Sequence, residues 1–523
     1  MYTGNILDPI HGLIKLSEIE KWIIAQKPFN RLKRIKQNTF LYYVFPSSNH
    51  TRFEHSIGVM HLAHQIYLNS NSNYTTGVYK KNKYNSSDTE GFAFCSVSEL
   101  LNDKEKLLIQ ELRIAALLHD VGHGPMSHKF DQYTLYGTEL IDIINNDNEL
   151  LKYKDNFKNL LIKEKNRIDH ETVSCLFIIK LISTLKREAT NDRQNFSEED
   201  KTTINDLDVL RIIKMIEPKF SKEQIRVNEF DFSDFFNSII SSFPLDADRM
   251  DYLYRDSYFS GVKYGIYDLS RILMSFIPIK IDDKITLGIK ESGIDSVIRF
   301  IQSRTHLYNQ VYFHKTNRAA NIMLDFACRN IEQNSSVIDA SNYNELENFY
   351  WKNSDEIFLW YTLNDKITDP IGKEILDELL TRKLWKRVFQ HKIVITNSDD
   401  RKEIASKINN IKDEIKNAIM DLESKGIFVG VDNFPNKVFK DYEKSKLMIA
   451  KKNENGYTIS KNWKRFNRET EILDCEIHMF RIYLRRQFSS PKEFISLKKQ
   501  VLDRFDTITS KLLNLKGTVI SSV

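Results

Sequence analysis

The sequence predicts a mainly α fold followed by a smaller α/β lobe. Three observations point there. The 523-residue chain has only 10 prolines and 17 glycines, so little interrupts its long periodic segments. Apolar residues recur at helical spacing through most of the first 385 positions. Beyond about Trp385 the pattern changes to short β-rich runs around one further helix-like stretch.

Taken in order, Ser56–Leu68, Lys106–His119, Glu171–Leu185, Leu207–Ile216 and Ile294–Tyr308 read as amphipathic or buried helices. In Lys106–His119 the residues Leu108, Leu112, Ala115, Ala116 and His119 keep helical spacing. Later, Lys392–Thr396, Ile427–Val431 and Lys446–Ala450 read as strands, with Lys402–Ser424 as a helix between the first two. Polar stretches at Asn69–Glu90, Asn145–Arg167 and Ala189–Lys201 read as insertions or surface loops.

Composition narrows the function. No run of 18 apolar residues is present, so no membrane span is expected, and the first residues lack the pattern of a secretory signal. Cys95, Cys175, Cys328 and Cys475 lie far apart without CxxC spacing. That argues against zinc knuckles and a disulfide framework, and points to the reducing cytoplasm. The net charge is +5, and from Pro435 onward 19 Lys/Arg face 10 Asp/Glu. A basic C-terminal lobe suits phosphates, from nucleotides or nucleic acid, although a solvated charged face is the commoner meaning of such a run.

The chemistry concentrates in histidine. Seven of 13 histidines fall between His55 and His170. His55, the adjacent pair His119-Asp120, and Asp248 make a mixed nitrogen/oxygen set for one divalent ion. Iron, manganese, cobalt, zinc or magnesium suits it better than a thiol-seeking metal. The His-Asp pair ends an apolar helix, and Gly122 and Gly124 follow as a glycine-permitted turn. A His-Asp dipeptide occurs by chance about once in such a chain, so specificity lies in the longer strings. Asp246, Asp248 and Asp251 also have a plainer reading, as helix caps and partners of Arg249 or Arg255.

The strings Asn49–Val59 (NHTRFEHSIGV), Ala116–Asp131 (ALLHDVGHGPMSHKFD), Asp169-His170-Glu171 and Asp246–Asp256 (DADRMDYLYRD) resemble the HD-domain dNTP triphosphohydrolases. This family includes bacterial dGTP triphosphohydrolases and the vertebrate SAM-and-HD-domain restriction enzyme. Asp8–Gly12 (DPIHG), Tyr42–Pro46 (YYVFP) and Ser303–Lys315 (SRTHLYNQVYFHK) extend the resemblance.

The resemblance spans roughly residues 8–330 and implies a helical HD-domain core and cleavage of dNTPs to deoxynucleoside and inorganic triphosphate; with the change of pattern near Trp385, the chain divides into an HD core over 1–385 and a smaller α/β C-terminal lobe over 386–523. By the same resemblance His55, His119, Asp120 and Asp248 hold the metal. His123, His128, Asp131 and His170 line the reacting phosphate, with Glu171 orienting His170. Arg52, Arg249 and Arg304 hold the triphosphate beside Tyr252. Gln37 and Asp256 bind the sugar 3′-hydroxyl, and Tyr312 packs on the sugar. His314 and Lys315 match positions that contact an activating nucleotide in tetrameric relatives, so a homo-oligomer, a tetramer, is expected. Ala25, Asn30 and Lys33 stand where the vertebrate enzyme reads an activating guanine, which argues against GTP control through that site. Asn38 replaces an apolar residue beside Gln37. Other HD-superfamily phosphohydrolases and a nucleotide or nucleic-acid sensor remain alternatives, and nucleotide balance and defence against phage are both compatible roles.

Overall fold

The computed structural model describes residues 2–76, 92–161, 166–191, 196–242, 244–331, 337–395, 398–437, 447–453, 456–460, 476–513 and 518–519. Much of the polar stretch Asn69–Glu90, parts of Asn145–Arg167 and Ala189–Lys201, and Cys475 lie outside the described residues.

Helices dominate, as the periodicity predicts. Arg52–Thr76, Glu105–Leu118, His170–Thr190, Ala247–Ser260 and Ile294–Leu307 surround one apolar core. The His170–Thr190 helix is buried nearly all round, with Leu176, Phe177, Ile178, Ile179 and Ile182 inside. Such a helix lies in the middle of a core rather than on its surface. Its start is set by Asp169, whose side chain caps Thr172 N at 2.9 Å. Asp246 caps the Ala247–Ser260 helix in the same way through Arg249 N at 2.8 Å. Asp248 is thereby carried in that helix's first turn.

Two helices that carry candidate ligands cross unusually closely. A Cβ built on Gly58 would lie 2.0 Å from Asp251 Oδ1 and 2.5 Å from Arg255 Nη2. Glycine is therefore what lets the Arg52–Thr76 helix rest against the Ala247–Ser260 helix.

The sheets depart from the expectation. Phe276–Ile281 and Lys284–Lys290 form an antiparallel hairpin closed at Asp282, whose φ is 53°. Met448–Asn453 pairs in parallel with Lys284–Lys290. The strand expected at Lys446–Ala450 thus belongs to the sheet of the main body, not to the C-terminal lobe. That lobe is a four-stranded antiparallel sheet in the order Thr518–Val519, Lys386–Ile395, Glu476–Leu484, Val429–Lys437. Its own core joins Ile393, Ile395, Phe480 and Ile482 to Ile415, Leu422, Val501 and Phe505 of the covering helices. The stretch read as one helix at Lys402–Ser424 is two, Ser398–Asn410 and Lys412–Ser424, meeting at Ile411.

Replacing Gly58 by Ala should destabilise the protein by about 1–3 kcal/mol, the usual cost of overpacking. A lowered denaturation midpoint reads this out. Gly4→Ala is the control: its nearest neighbour is the flexible Lys21 side chain, at 2.7 Å, and the midpoint should barely move.

Candidate metal centre and phosphate cleft

His55 and His119 reach the same point from different helices. Their ring centroids are 5.3 Å apart. His55 Nε2 lies 3.1 Å from Asp248 Oδ1 and 3.5 Å from Asp120 Oδ2. His119 Nε2 lies 3.5 Å from Asp120 Oδ1 and 3.8 Å from Asp248 Oδ1. In each ring the other nitrogen is already engaged. His55 Nδ1 donates to Asp251 at 2.8 Å, and His119 Nδ1 donates to the Ala116 carbonyl at 2.8 Å. Both Nε2 atoms are left buried with no hydrogen-bond partner among the described residues. Two fixed imidazoles with orphaned nitrogens facing two carboxylates fit a divalent cation. His55, His119 and Asp120 alone offer ligand atoms within 4.8 Å of one another.

Electrostatics agree with that fit. Burial works against the His55 imidazolium, but Asp248, Asp251 and Asp120 outweigh it and raise its pKa to about 9. Burial opposes the Asp120 carboxylate too, yet Arg52, His119 and His123 hold it well below the usual carboxylate range. Asp248 is likewise held low by His119 and His55 against its burial.

A second group of imidazoles adjoins the first. His123, His128 and His170 offer nitrogens within 4.8 Å of one another. His123 stacks on His170 with centroids 3.7 Å apart, and His123 Nε2 is 3.3 Å from Asp120 Oδ1. His170 Nδ1 donates to Asp131 at 3.0 Å and lies 3.3 Å from Glu171. The two stacked rings are driven apart in basicity. Burial, with the Arg52 and His170 charges, pushes His123 well below its ordinary value. Burial also opposes the His170 imidazolium, but Asp131 and Glu171 outweigh it and raise its pKa. His170 therefore holds its proton more tightly than an ordinary histidine, beside a neutral His123. His128 is the exposed member, with 70% of its side chain accessible.

The loop between His119 and His128 is shaped differently from the expectation. Gly122 and Gly124 do not supply left-handed backbone; their glycine is required by close approach. A Cβ on Gly122 would lie 2.1 Å from the His170 carbonyl oxygen, and one on Gly124 2.0 Å from the Phe130 ring. The left-handed positions are Met126 (φ 64°) and Ser127 (φ 57°). Each costs on the order of 1–2 kcal/mol in a non-glycine residue, and such strain collects at functional sites. Buried Arg31 donates to the carbonyls of Val121 and His123, at 2.5 and 2.6 Å, and so braces the same loop.

Arginines form the wall beside the ligands. Arg52 is buried and bonds Asp120 Oδ2 at 2.5 Å and Ser127 Oγ through Nε at 2.8 Å. Arg304 lies over the Tyr308 ring at 4.3 Å, and its buried Nε and Nη1 have no hydrogen-bond partner among the described residues. Arg249 pairs with Asp246. Tyr252 sits between these cations, beside Arg304 and Arg249.

A little farther on, Tyr312 ends a π-helical turn, Tyr308–Tyr312, and donates its hydroxyl to buried Asp256. His50 Nε2 donates to the other Asp256 oxygen at 2.6 Å and stacks on Phe259. Gln37 is buried with its side-chain oxygen unpaired. His314 and Lys315 stand apart, at the start of the Lys315–Ala327 helix, where the Phe313 carbonyl receives Arg481 and the Lys315 carbonyl receives Tyr483.

Sequence reasoning missed three residues. Asp251 is no mere helix partner: it fixes His55. His11 also donates to Asp251, at 2.7 Å, and His50 holds Asp256. The DPIHG string, itself part of the resemblance, was the signal for His11. Asp246 and Arg249 do pair, as the plainer reading had it.

Comparisons with known proteins show what the chain is similar to. Residues 52–195 match the HD domain, and residues 268–455 match the HD associated region. An uncharacterized protein of Methanocaldococcus jannaschii is 29% identical over 343 residues, covering 65% of this chain and 53% of that protein. A Homo sapiens deoxynucleoside triphosphate triphosphohydrolase is 25% identical over 401 residues, covering 73% of this chain and 54% of that enzyme. The chain thus spans about half the length of these relatives. A crystal structure of a hypothetical protein from Aquifex aeolicus shares the fold, with a TM-score of 0.56, 23% identity and coverage of 97% of this chain and 100% of that one. Among the described residues no helix is long and apolar enough to cross a membrane.

Two outcomes follow for metal binding. Asp251→Asn should weaken divalent-metal affinity about 10–100-fold, as removal of a histidine-orienting carboxylate does, measured by chelator competition. The raised His55 pKa stabilises the metal-free protein fully below about pH 6.5, and that contribution is lost as pH rises through about 9. A cation must displace this proton. The rise in denaturation midpoint on adding Mn²⁺ should therefore grow between pH 6.5 and 8.5; a constant rise would contradict it.

Proposed function

We propose that this chain, which carries an HD domain and its associated region, is a metal-dependent phosphohydrolase that cleaves dNTPs to deoxynucleoside and inorganic triphosphate. One observation supports this most. Two imidazoles with orphaned Nε2 atoms and two carboxylates converge beside the buried Arg52, and nearby Arg304 has two buried nitrogens without partners among the described residues. A triphosphate carries the charge that such a wall lacks.

In this reading His55, His119, Asp120 and Asp248 hold a divalent ion, which supplies Lewis-acid activation at phosphorus. Arg52, Arg249 and Arg304, with Tyr252, grip the triphosphate. Gln37 and Asp256 meet the sugar 3′-hydroxyl, and Tyr312 covers the sugar. Water adds at the α-phosphorus and loses a proton to solvent, the bond to the 5′-oxygen breaks, that oxygen takes a proton from His170, and solvent returns a proton to His170. Asp131 and Glu171 keep His170 charged for the purpose, while His123 and His128 contact the phosphate. Several relatives are named deoxynucleoside triphosphate triphosphohydrolases and others are uncharacterized, so the family supports the reaction class more firmly than the substrate. We also propose a homo-tetramer, with His314 and Lys315 at a regulatory nucleotide contact, and phosphate or nucleic-acid binding by the basic C-terminal lobe.

One observation favours a second reading. The cluster of His123, His128 and His170 has the spacing of ligands for a further ion. A phosphodiesterase using two ions would need such a set.

Product analysis separates the two. Incubation with each dNTP and Mn²⁺ should release inorganic triphosphate; pyrophosphate or free phosphate would overturn the first reading. His170→Ala should lower turnover about 10²–10⁴-fold, the range for general acid catalysis, with bound metal unchanged.

A further inference from the structure

Asp355 lies far along the chain from the candidate metal ligands, in the HD-associated region, yet it touches the cleft. It is buried, 4% exposed, in the first turn after Ser354. Its Oδ1 accepts from Met126 N at 2.6 Å, and its Oδ2 accepts from Lys36 N at 2.9 Å. These two amides belong to the segments that present the proposed substrate groups. Lys36 precedes Gln37 and bridges to Thr51, just before Arg52. Met126 begins the pair of left-handed residues, and Ser127 accepts from Arg52.

The carboxylate does not act alone. The Met126 carbonyl accepts from Thr39 Oγ1 at 2.8 Å, so that residue is held through both its N–H and its carbonyl. Phe358 packs on Phe130 and Tyr133, at 5.2 and 6.0 Å, and fixes the Asp355 segment against the Ser127–Tyr133 turn. A left-handed non-glycine pair persists only where surrounding contacts hold it. Two charge-assisted hydrogen bonds from a buried carboxylate are such contacts.

We infer that Asp355 is a positioning residue of the proposed site: its carboxylate ties the Lys36–Gln37 segment to the Met126–Ser127 turn and so sets where Arg52 and Gln37 meet the nucleotide. This rests on the proposed function for its catalytic consequence, not for the clamp itself. The HD-associated region then serves the HD domain directly, by completing its phosphate cleft.

The test compares wild type, Asp355→Asn and Glu356→Gln in the full chain. Asparagine keeps the shape but offers one amide N–H a donor in place of an acceptor. Glu356 pairs with Lys36 Nζ at the surface and serves as the control. Asp355→Asn should raise KM for dNTP about tenfold, as loss of one charge-assisted hydrogen bond would, with metal stoichiometry unchanged. Its effect on kcat/KM should overlap that of Ser127→Ala rather than add to it, because both act on one turn. Hydrogen exchange at the Met126 and Lys36 amides should quicken in Asp355→Asn only. Additive effects with Ser127→Ala, or wild-type KM, would overturn the positioning role. If wild type leaves dNTPs intact, the proposed function falls. Exchange at those amides then decides the clamp alone, and unchanged exchange overturns it.

Discussion

The site depends on one buried carboxylate, Asp251. It receives His55 Nδ1 and His11 Nε2, and a two-pronged contact from Arg255, at 2.7 to 2.9 Å. Arg255 continues to Asp8 at 2.8 Å. Every partner in this chain of contacts is nearly inaccessible to water, so removing one leaves an uncompensated charge, which costs about 3–5 kcal/mol. The same carboxylate aims His55 Nε2 away from itself, toward Asp120 and Asp248. Folding and ligand geometry are thus joined in a single side chain, and Gly58 admits it by leaving out a Cβ.

Around that anchor the protein concentrates charge it does not fully neutralise. The Nε2 atoms of His55 and His119, both ring nitrogens of His123 and two Arg304 nitrogens are buried without partners among the described residues. Arg52 is turned onto Asp120 and Ser127, and Met126 and Ser127 hold a backbone that ordinary residues avoid. An interior with unmet hydrogen bonds and local strain is costly to stability and is kept where a ligand makes good the deficit. The opposing shifts of His123 and His170 follow from the same crowding: one ring faces Arg52, the other faces two carboxylates.

The helical core was legible because its apolar spacing is long and regular. The Glu105–Leu118 helix falls within a residue of the stretch that announced it, and the His170–Thr190 helix starts within a residue of its own and runs on past Leu185. The strands were harder. Glu476–Leu484, central to its sheet, went unseen, and Met448–Asn453 was seen but placed with the wrong neighbours. Strand pairing joins residues remote in sequence, and no local pattern records the partner. In the site, His55, His119, Asp120 and Asp248 were readable from family strings, but Asp251, His50 and Asp355 were not. Their roles come from what they touch across the fold. The glycines of the HD loop were noticed for the wrong reason, since sequence does not distinguish a required φ from a required absence of Cβ.

The central claim is that four side chains from three separate segments share one cation. Anomalous diffraction from crystals grown with Mn²⁺ measures this directly. The account predicts one strong peak about 2.0–2.3 Å from His55 Nε2, His119 Nε2 and oxygens of Asp120 and Asp248. A peak confined to His123, His128 and His170, or none at saturating metal, would contradict it.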